Sequence, residues 1–178
     1  REINPSKLNE INLDNEKINL IDIKLDDINF QKSKNKYIKK CFDVAFSLIK
    51  KNYTHKLING PIEKKTFLKK KFLGITEYIA ANFNTKKVGM LIYNQKLSVC
   101  PLTTHLPIKL VSKFITKKNI GEKIVLLNTF YKKNLNHKPK IAVTGLNPHC
   151  ESILKFNEDE KIIKPVIKVM QKLNIDVK

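Results

Sequence analysis

The chain predicts an α/β protein, and three observations carry that expectation. A helical pattern over Asn35–Lys51 is followed within a few residues by a short apolar run, His55–Ile62, that stops at Gly60-Pro61, the order of an α/β unit. A second run, Lys140–Leu146, is short, continuous and apolar, as in a strand covered on both faces, and a helical pattern follows it from Asn157. Between them, Lys87–Tyr93 and Leu97–Leu102 flank Asn94-Gln95-Lys96 as the arms of an antiparallel hairpin.

Taken in order, the chain begins with a weak pattern. Ile18, Leu20, Ile23 and Leu25 suggest an edge strand over Lys17–Leu25. Ile38, Cys41, Phe42, Ala45, Phe46 and Ile49 recur at helical spacing, with Ser33 or Asn35 as candidate caps and Cys41 as a small core residue. After Gly74 a helix buries Tyr78, Ile79 and Phe83, and Thr76 is a candidate cap near an N-terminus suited to an anion. Pro107–Lys117 forms a short helix with Leu110, Val111 and Phe114 inward, and Gly121–Tyr131 continues helically. Asn157 with Glu160 resembles a capping box, and Ile162, Ile163, Val166, Ile167, Met170 and Leu173 form a stripe. Pro165, inside that stripe, should kink the helix or move its start. A further strand is expected at Ile175–Lys178.

Composition bounds the function. At 178 residues and 42% apolar content, the chain fits one domain or a little more. No apolar run approaches the roughly 18 residues of a membrane span, and Arg1–Pro5 has no secretion-signal character. Cys41, Cys100 and Cys150 are odd in number and lack a CxxC, which fits a reduced, cytoplasmic protein. The net charge of +19 raises the question of nucleic acid, but of 35 lysines and arginines only Arg1 is arginine. Sequence-specific readers rely on arginine for bidentate contacts, so the expectation is a lysine-coated surface and no nucleic-acid partner. The densest run, Lys69-Lys70-Lys71, has only Phe67 and Phe72 as neighbouring aromatics.

Two loops carry the candidate chemistry. Thr103-Thr104-His105-Leu106-Pro107 and Gly145-Leu146-Asn147-Pro148-His149 each place a histidine just past an apolar run. Ligands gather at strand ends in α/β sheets, and imidazole is a common ligand for zinc and similar metals. Two histidines do not complete a site, since catalytic zinc normally has three protein ligands. From spacing alone, His105 and His149 stand either as joint ligands or as isolated loop residues. His55 and His137 read as surface residues. Without GxGxxG, GxxxxGK[ST] or GxSxG, the usual nucleotide-binding loops and the serine-hydrolase elbow have no support.

Gly60-Pro61-Ile62-Glu63-Lys64, Gly74-Ile75-Thr76-Glu77-Tyr78-Ile79-Ala80 and the two histidine loops occur in this order. Together they resemble the successive motifs of the 4-hydroxythreonine-4-phosphate dehydrogenase (PdxA) family of vitamin B6 biosynthesis, from about Lys36 to the C-terminus. The resemblance implies a three-layer α/β/α fold with a mixed sheet, like that of isocitrate and isopropylmalate dehydrogenases, and a homodimer. It implies NAD-dependent oxidation and decarboxylation of 4-phosphohydroxy-L-threonine with a divalent metal (Zn, Mg or Co). By motif position, His105 and His149 would be two of three metal ligands, and Thr76 would contact the substrate, at its phosphate. The family binds NAD without the glycine fingerprint.

The chain departs from the family pattern in places. Ile75 stands where the family has a histidine, and Cys150-Glu151-Ser152 replaces the usual residues after the second histidine loop. The third histidine motif and the N-terminal glycine-rich segment are absent. Residues 1–178 therefore read as a partial, interior piece of such a dehydrogenase domain, inactive alone. The alternatives are a degraded paralogue that dimerises or binds a phosphorylated ligand, which Ile75 favours, and a basic nucleic-acid-binding module.

Overall fold

The computed structural model describes residues 1–10, 16–24, 30–150 and 156–178. It divides into two compact units, Arg1–Phe72 and Leu73–Lys178.

The first unit is built on α1 (Phe30–Lys50). It starts five residues before the predicted Asn35, because nothing between Phe30 and Asn35 breaks a helix and the run is rich in residues that tolerate one. Ser33 and Asn35 thus lie inside it rather than capping it. Phe42 and Phe46 are buried, their ring centroids 5.4 Å apart, and Phe42 also stacks at 5.7 Å on Phe67 of α2 (Lys64–Leu68). The C-terminus of α1 closes with a two-bond cap. Asn52 is left-handed (φ 62°), its N–H donates to Ile49 at 3.0 Å, and the Tyr53 N–H donates to Leu48 at 3.0 Å. Helix α2 was not expected. It ends where Lys69 and Lys70 take left-handed φ of 47° and 58°, so the densest cationic run is a helix stop.

Two predicted strands change character in this unit. Of Lys17–Leu25, Leu25 lies outside the described residues. Among the described rest, Leu20 forms a β-bridge, parallel to Glu2, with Ile3 N–H donating to Leu20 at 2.6 Å and Leu20 N–H to Arg1 at 2.8 Å. His55–Ile62 lies outside any helix and forms no bridge among the described residues, and Ile58 is 96% exposed. A strand is completed by a partner edge, and no described segment of the unit supplies one.

The second unit holds α3 (Ile75–Asn82), α4 (Ile108–Val111) running into a 3-10 turn (Ser112–Phe114), α5 (Lys117–Asn134) and α6 (Lys164–Lys172). The break before α5 falls at Thr116, whose hydroxyl accepts the Asn119 N–H at 3.1 Å as an N-cap, so the helix begins at Lys117 rather than Gly121. Phe114, expected inward, is 42% exposed. Ile120 and Ile124 of α5, Ile163 and Val166 near α6, and Ile175 and Val177 form the core, with Ile141 and Val143 packed against it. Gly121 is buried between α5 and α6, where a Cβ would make ordinary contact with Met170 Cε at 3.5 Å.

Asn157 supplies half of a capping box: its Oδ1 accepts the N–H groups of Asp159 at 2.9 Å and Glu160 at 3.3 Å, while Glu160 pairs with Lys164 instead of reaching back. A π turn, Asp159–Ile163, precedes α6, and Pro165 lies just inside the α-helix start. A proline ring clashes with the carbonyl four residues earlier, and the wider π turn relieves that conflict. Leu173, at the end of the stripe, is 61% exposed.

Extended segments pair at two places in this unit. Ile141 and Val177 form a parallel bridge, with Ile141 N–H donating to Asp176 at 2.9 Å, Lys178 N–H to Ile141 at 3.0 Å and Val143 N–H to Lys178 at 2.8 Å. The hairpin is present as the antiparallel bridge Ile92–Val99, closed by mutual bonds between Asn94 and Ser98. Pro101, which has no N–H, stops the ladder two residues on. Helices packed against paired extended segments make the unit α/β. Among the described residues, no helix is long and apolar enough to cross a membrane.

Candidate functional site

The first histidine loop docks on the start of α3. His105 is exposed and left-handed (φ 57°), an uncommon backbone state for a residue with a Cβ. Its Nε2 lies 3.4 Å from the point a Cβ on Gly74 would occupy, and Glu77 Oε2 lies 2.8 Å from the same point. Gly74 has an ordinary extended backbone (φ −159°), so glycine serves here for close approach and not for turn geometry. Gly74, and not the predicted Thr76, is the N-cap of α3, and no side chain caps the helix. Thr76 falls within the first turn, where N–H groups lack intrahelical partners. With Glu77, Thr104 and Lys123 it lines a cavity of about 50 Å³. Lys123 Nζ donates to the Val88 carbonyl at 2.8 Å. Glu77 Oε2 is buried with no hydrogen-bond partner among the described residues. Ile75, the first residue of α3, is half-buried and brings only hydrocarbon to this helix start.

The second loop is braced from downstream. Asp159 is 5% exposed and its Oδ1 accepts the Leu146 N–H at 3.4 Å. Asn147 Oδ1 accepts the His149 N–H at 3.0 Å, the Asn147 carbonyl accepts the Cys150 N–H at 3.1 Å, and Asn157 Nδ2 donates to the Cys150 carbonyl at 3.2 Å. The left-handed residue is Cys150 (φ 54°), leaving His149 exposed just before it. A Cβ on Gly145 would fall 2.4 Å from Cys150 Sγ and 3.0 Å from Asp159 Oδ1, so this glycine too serves close approach. Of the altered segment Cys150-Glu151-Ser152, the last two residues lie outside the described residues.

The segments that deliver the two histidines form the walls of one groove of about 650 Å³, Leu97–Thr103 on one side and Pro139–Leu146 on the other, with Ile120 and Ile124 in its lining. Cys100 lies in the first wall, where burial pushes its thiol pKa above the usual range and the charge of Lys123 partly opposes the shift. Among the described residues, no three His, Cys, Asp or Glu side chains are grouped to hold a metal ion, so this donor set does not complete a metal centre. His137 is exposed, its Nδ1 3.1 Å from the Leu135 carbonyl and its ring edge-on to Tyr131. His55 is exposed in the first unit.

Sequence reasoning missed Glu77, Lys123 and Asp159. The first two sit on α3 and α5, whose apolar periodicity signals packing and carries no signal for a polar side chain beside it. An acid in the first turn, like Asp159, reads by default as a solvated partner of the helix dipole.

Comparison with known proteins agrees with this motif order. The family model described as pyridoxal phosphate biosynthetic protein PdxA matches residues 2–178. A 4-hydroxythreonine-4-phosphate dehydrogenase from Sulfurihydrogenibium is 37% identical over 125 residues, which is 68% of this chain and 39% of that protein. A D-threonate 4-phosphate dehydrogenase from Pectobacterium atrosepticum is 28% identical over 141 residues, 78% of this chain and 43% of that one. The crystal structure of the 4-hydroxythreonine-4-phosphate dehydrogenase from Klebsiella pneumoniae superposes with a TM-score of 0.78 at 25% identity, covering 90% of this chain and 52% of that chain. The chain thus spans about two-fifths to one-half of the length of these relatives. With a match along nearly its whole length, and with the glycine, threonine and histidine motifs at a helix start and two strand ends, the chain belongs to the PdxA family.

Proposed function

We propose that this chain is part of an NAD-dependent, divalent-metal-dependent dehydrogenase that oxidises and decarboxylates 4-phosphohydroxy-L-threonine in pyridoxal phosphate biosynthesis. The observation that carries this reading is the meeting of two family motifs at the start of α3: the His105 ring lies over Gly74, and Thr104 shares a cavity with Thr76. Thr76 contacts the substrate phosphate, assisted by the uncapped N–H groups of the first turn. His105 and His149 are two of the metal ligands, and the remaining donors, with the NAD site, come from further polypeptide. The architecture is a three-layer α/β/α domain with a mixed sheet, of which residues 1–178 form part. The working assembly is a cytoplasmic homodimer with no nucleic-acid partner, its lysines a spread surface coat.

Ile75 favours a second reading, a phosphorylated-ligand-binding paralogue without turnover. One experiment separates them. The chain is combined with the remainder of a full-length relative and supplied with NAD, zinc, magnesium or cobalt, and 4-phosphohydroxy-L-threonine. NADH formation is expected from the combination and not from the chain alone, and it is lost in His105→Ala and His149→Ala. An Ile75→His arm restores a ring N–H beside the anion. A hydrogen bond to a charged group contributes about 1.5–3 kcal/mol, so substrate should bind roughly tenfold tighter or better. Substrate binding by the combination without NADH would establish the second reading instead.

A further inference from the structure

We propose that Lys123 of α5 is the cation that holds the substrate phosphate beside Thr76, supplying the charged donor that Ile75 does not. The inference rests on the reading of Thr76 as a phosphate contact, and it adds a residue from a different helix to that contact.

The cavity at the start of α3 is lined by two charged residues, Glu77 and Lys123, and by the hydroxyl residues Thr76 and Thr104. Among the described residues that line it, Lys123 is the one cation. At about 50 Å³ the cavity has room for roughly three or four water-sized atoms, which matches the oxygens of a phosphate head. The rest of a phosphorylated ligand has space in an adjoining groove of about 340 Å³, which shares Val88, Leu102, Thr104 and Lys123 with the cavity. Lys86, Lys87 and Glu122 also line that groove, so cavity and groove together carry three cations against two carboxylates. Without Lys123, the cavity itself would keep only the Glu77 carboxylate and would repel an anion.

The lysine is held in place for this contact. Lys123 is half-buried, and its stem runs over Gly89, with Cδ and Nζ 3.7 and 3.9 Å from the point a Cβ there would occupy. An ammonium has three N–H donors. One goes to the Val88 carbonyl at 2.8 Å and fixes the end of a side chain that is otherwise rich in rotamers. No other hydrogen bond and no ion pair of Lys123 is present among the described residues. Two donors therefore remain for an anion, and hydrogen bonds between charged groups are roughly twice as strong as neutral ones. The charge also reaches inward, since it opposes the upward shift of the half-buried Cys100 thiol. Lys86 and Lys87, by contrast, are exposed.

The test uses inorganic phosphate and the intact chain, without metal or NAD, at constant ionic strength. NMR follows the backbone amides and the lysine ammonium signals. Phosphate is expected to shift the Thr76 and Thr104 amides and the Lys123 Nζ signal together. Lys123→Met, which keeps the length of the stem, should weaken binding roughly tenfold or more, because a hydrogen bond to a charged group is lost. Lys86→Met and Lys87→Met should each change it far less. If Lys123→Met lowers the melting temperature, the Nζ signal of the unaltered chain decides, since a lysine with a purely structural role would not respond to phosphate. A loss of binding in Thr76→Val but not in Lys123→Met overturns the inference and leaves Thr76 as a phosphate contact. A Thr76 amide that phosphate does not move removes the reading of Thr76 and the inference with it. Equal losses in Lys86→Met, Lys87→Met and Lys123→Met also overturn the proposal, by assigning the anion to the lysine coat.

Discussion

The two histidine loops share a design in the sequence and are held in different ways. Each follows an apolar extended segment, carries a proline and places a histidine near a polar neighbour. The first is held from above: the His105 ring rests over Gly74 at the start of α3, and His105 itself takes the left-handed backbone. The second is held from below: Asp159 grips the Leu146 N–H, Asn147 folds back on the His149 N–H, and the left-handed residue moves to Cys150. One loop thus sets its histidine ring close to a glycine, and the other holds its histidine through hydrogen bonds to the backbone. The first arrangement depends on a glycine that leaves room for the ring, and the second on a carboxylate that accepts an N–H thirteen residues before it in the chain.

Removing that carboxylate should separate the loops most clearly. Asp159→Ala leaves the part-buried Leu146 N–H without its acceptor, and an unsatisfied buried group costs about 1–3 kcal/mol. Urea unfolding should show a loss of about 2 kcal/mol. The imidazole resonances of His149 should shift and broaden while those of His105 stay in place. Equal changes at both rings would mean that the loops are not independently supported.

Gly74→Ala is the reciprocal change, with a smaller effect. The new methyl would meet Glu77 Oε2 at 2.8 Å and His105 Nε2 at 3.4 Å, both at the ends of movable side chains. Alanine is also a poorer N-cap than glycine. The expected loss is about 1 kcal/mol, with the His105 resonances shifted and those of His149 unmoved. An undisturbed His105 would show that its ring does not rest over Gly74 in solution.

The contrast also explains what could be read from the chain. Helix α1 was legible because Phe42, Phe46 and Ile49 repeat at helical spacing, but its start was not, since no glycine or proline separates Phe30 from Asn35. The hairpin turn at Asn94 is legible in the sequence, and its short ladder follows from Pro101, which has no N–H to extend it. The two histidine loops were legible as a pair because strand ends have a local signature. Their supports were not, because Gly74, Glu77 and Asp159 act through distances set by packing. Thr76 was expected to cap α3 on residue type alone. Capping is decided by which residue keeps an extended backbone at the helix entry, and that residue is Gly74.

The smallest effect is chemical, and it compares the walls that lead into the two loops. Cys100 lies half-buried in the first wall and Cys150 is exposed at the end of the second loop. Only the thiolate reacts with alkylating agents. Burial raises the Cys100 pKa, so near neutral pH less of it is thiolate than in an ordinary cysteine. Cys150, which is exposed, should therefore be modified before Cys100 at mildly alkaline pH. As pH rises, the Cys100 rate should keep increasing past the usual thiol range, because its raised pKa delays the plateau. Lys123→Ala removes the cation that opposes the shift, so it should slow Cys100 further and leave Cys150 unchanged. Mass spectrometry of the alkylated peptides against pH reads both rates at once. A Cys100 rate that levels off at ordinary thiol pH, or that rises in Lys123→Ala, would show that the first wall is open to water and that its thiol is not held against α5.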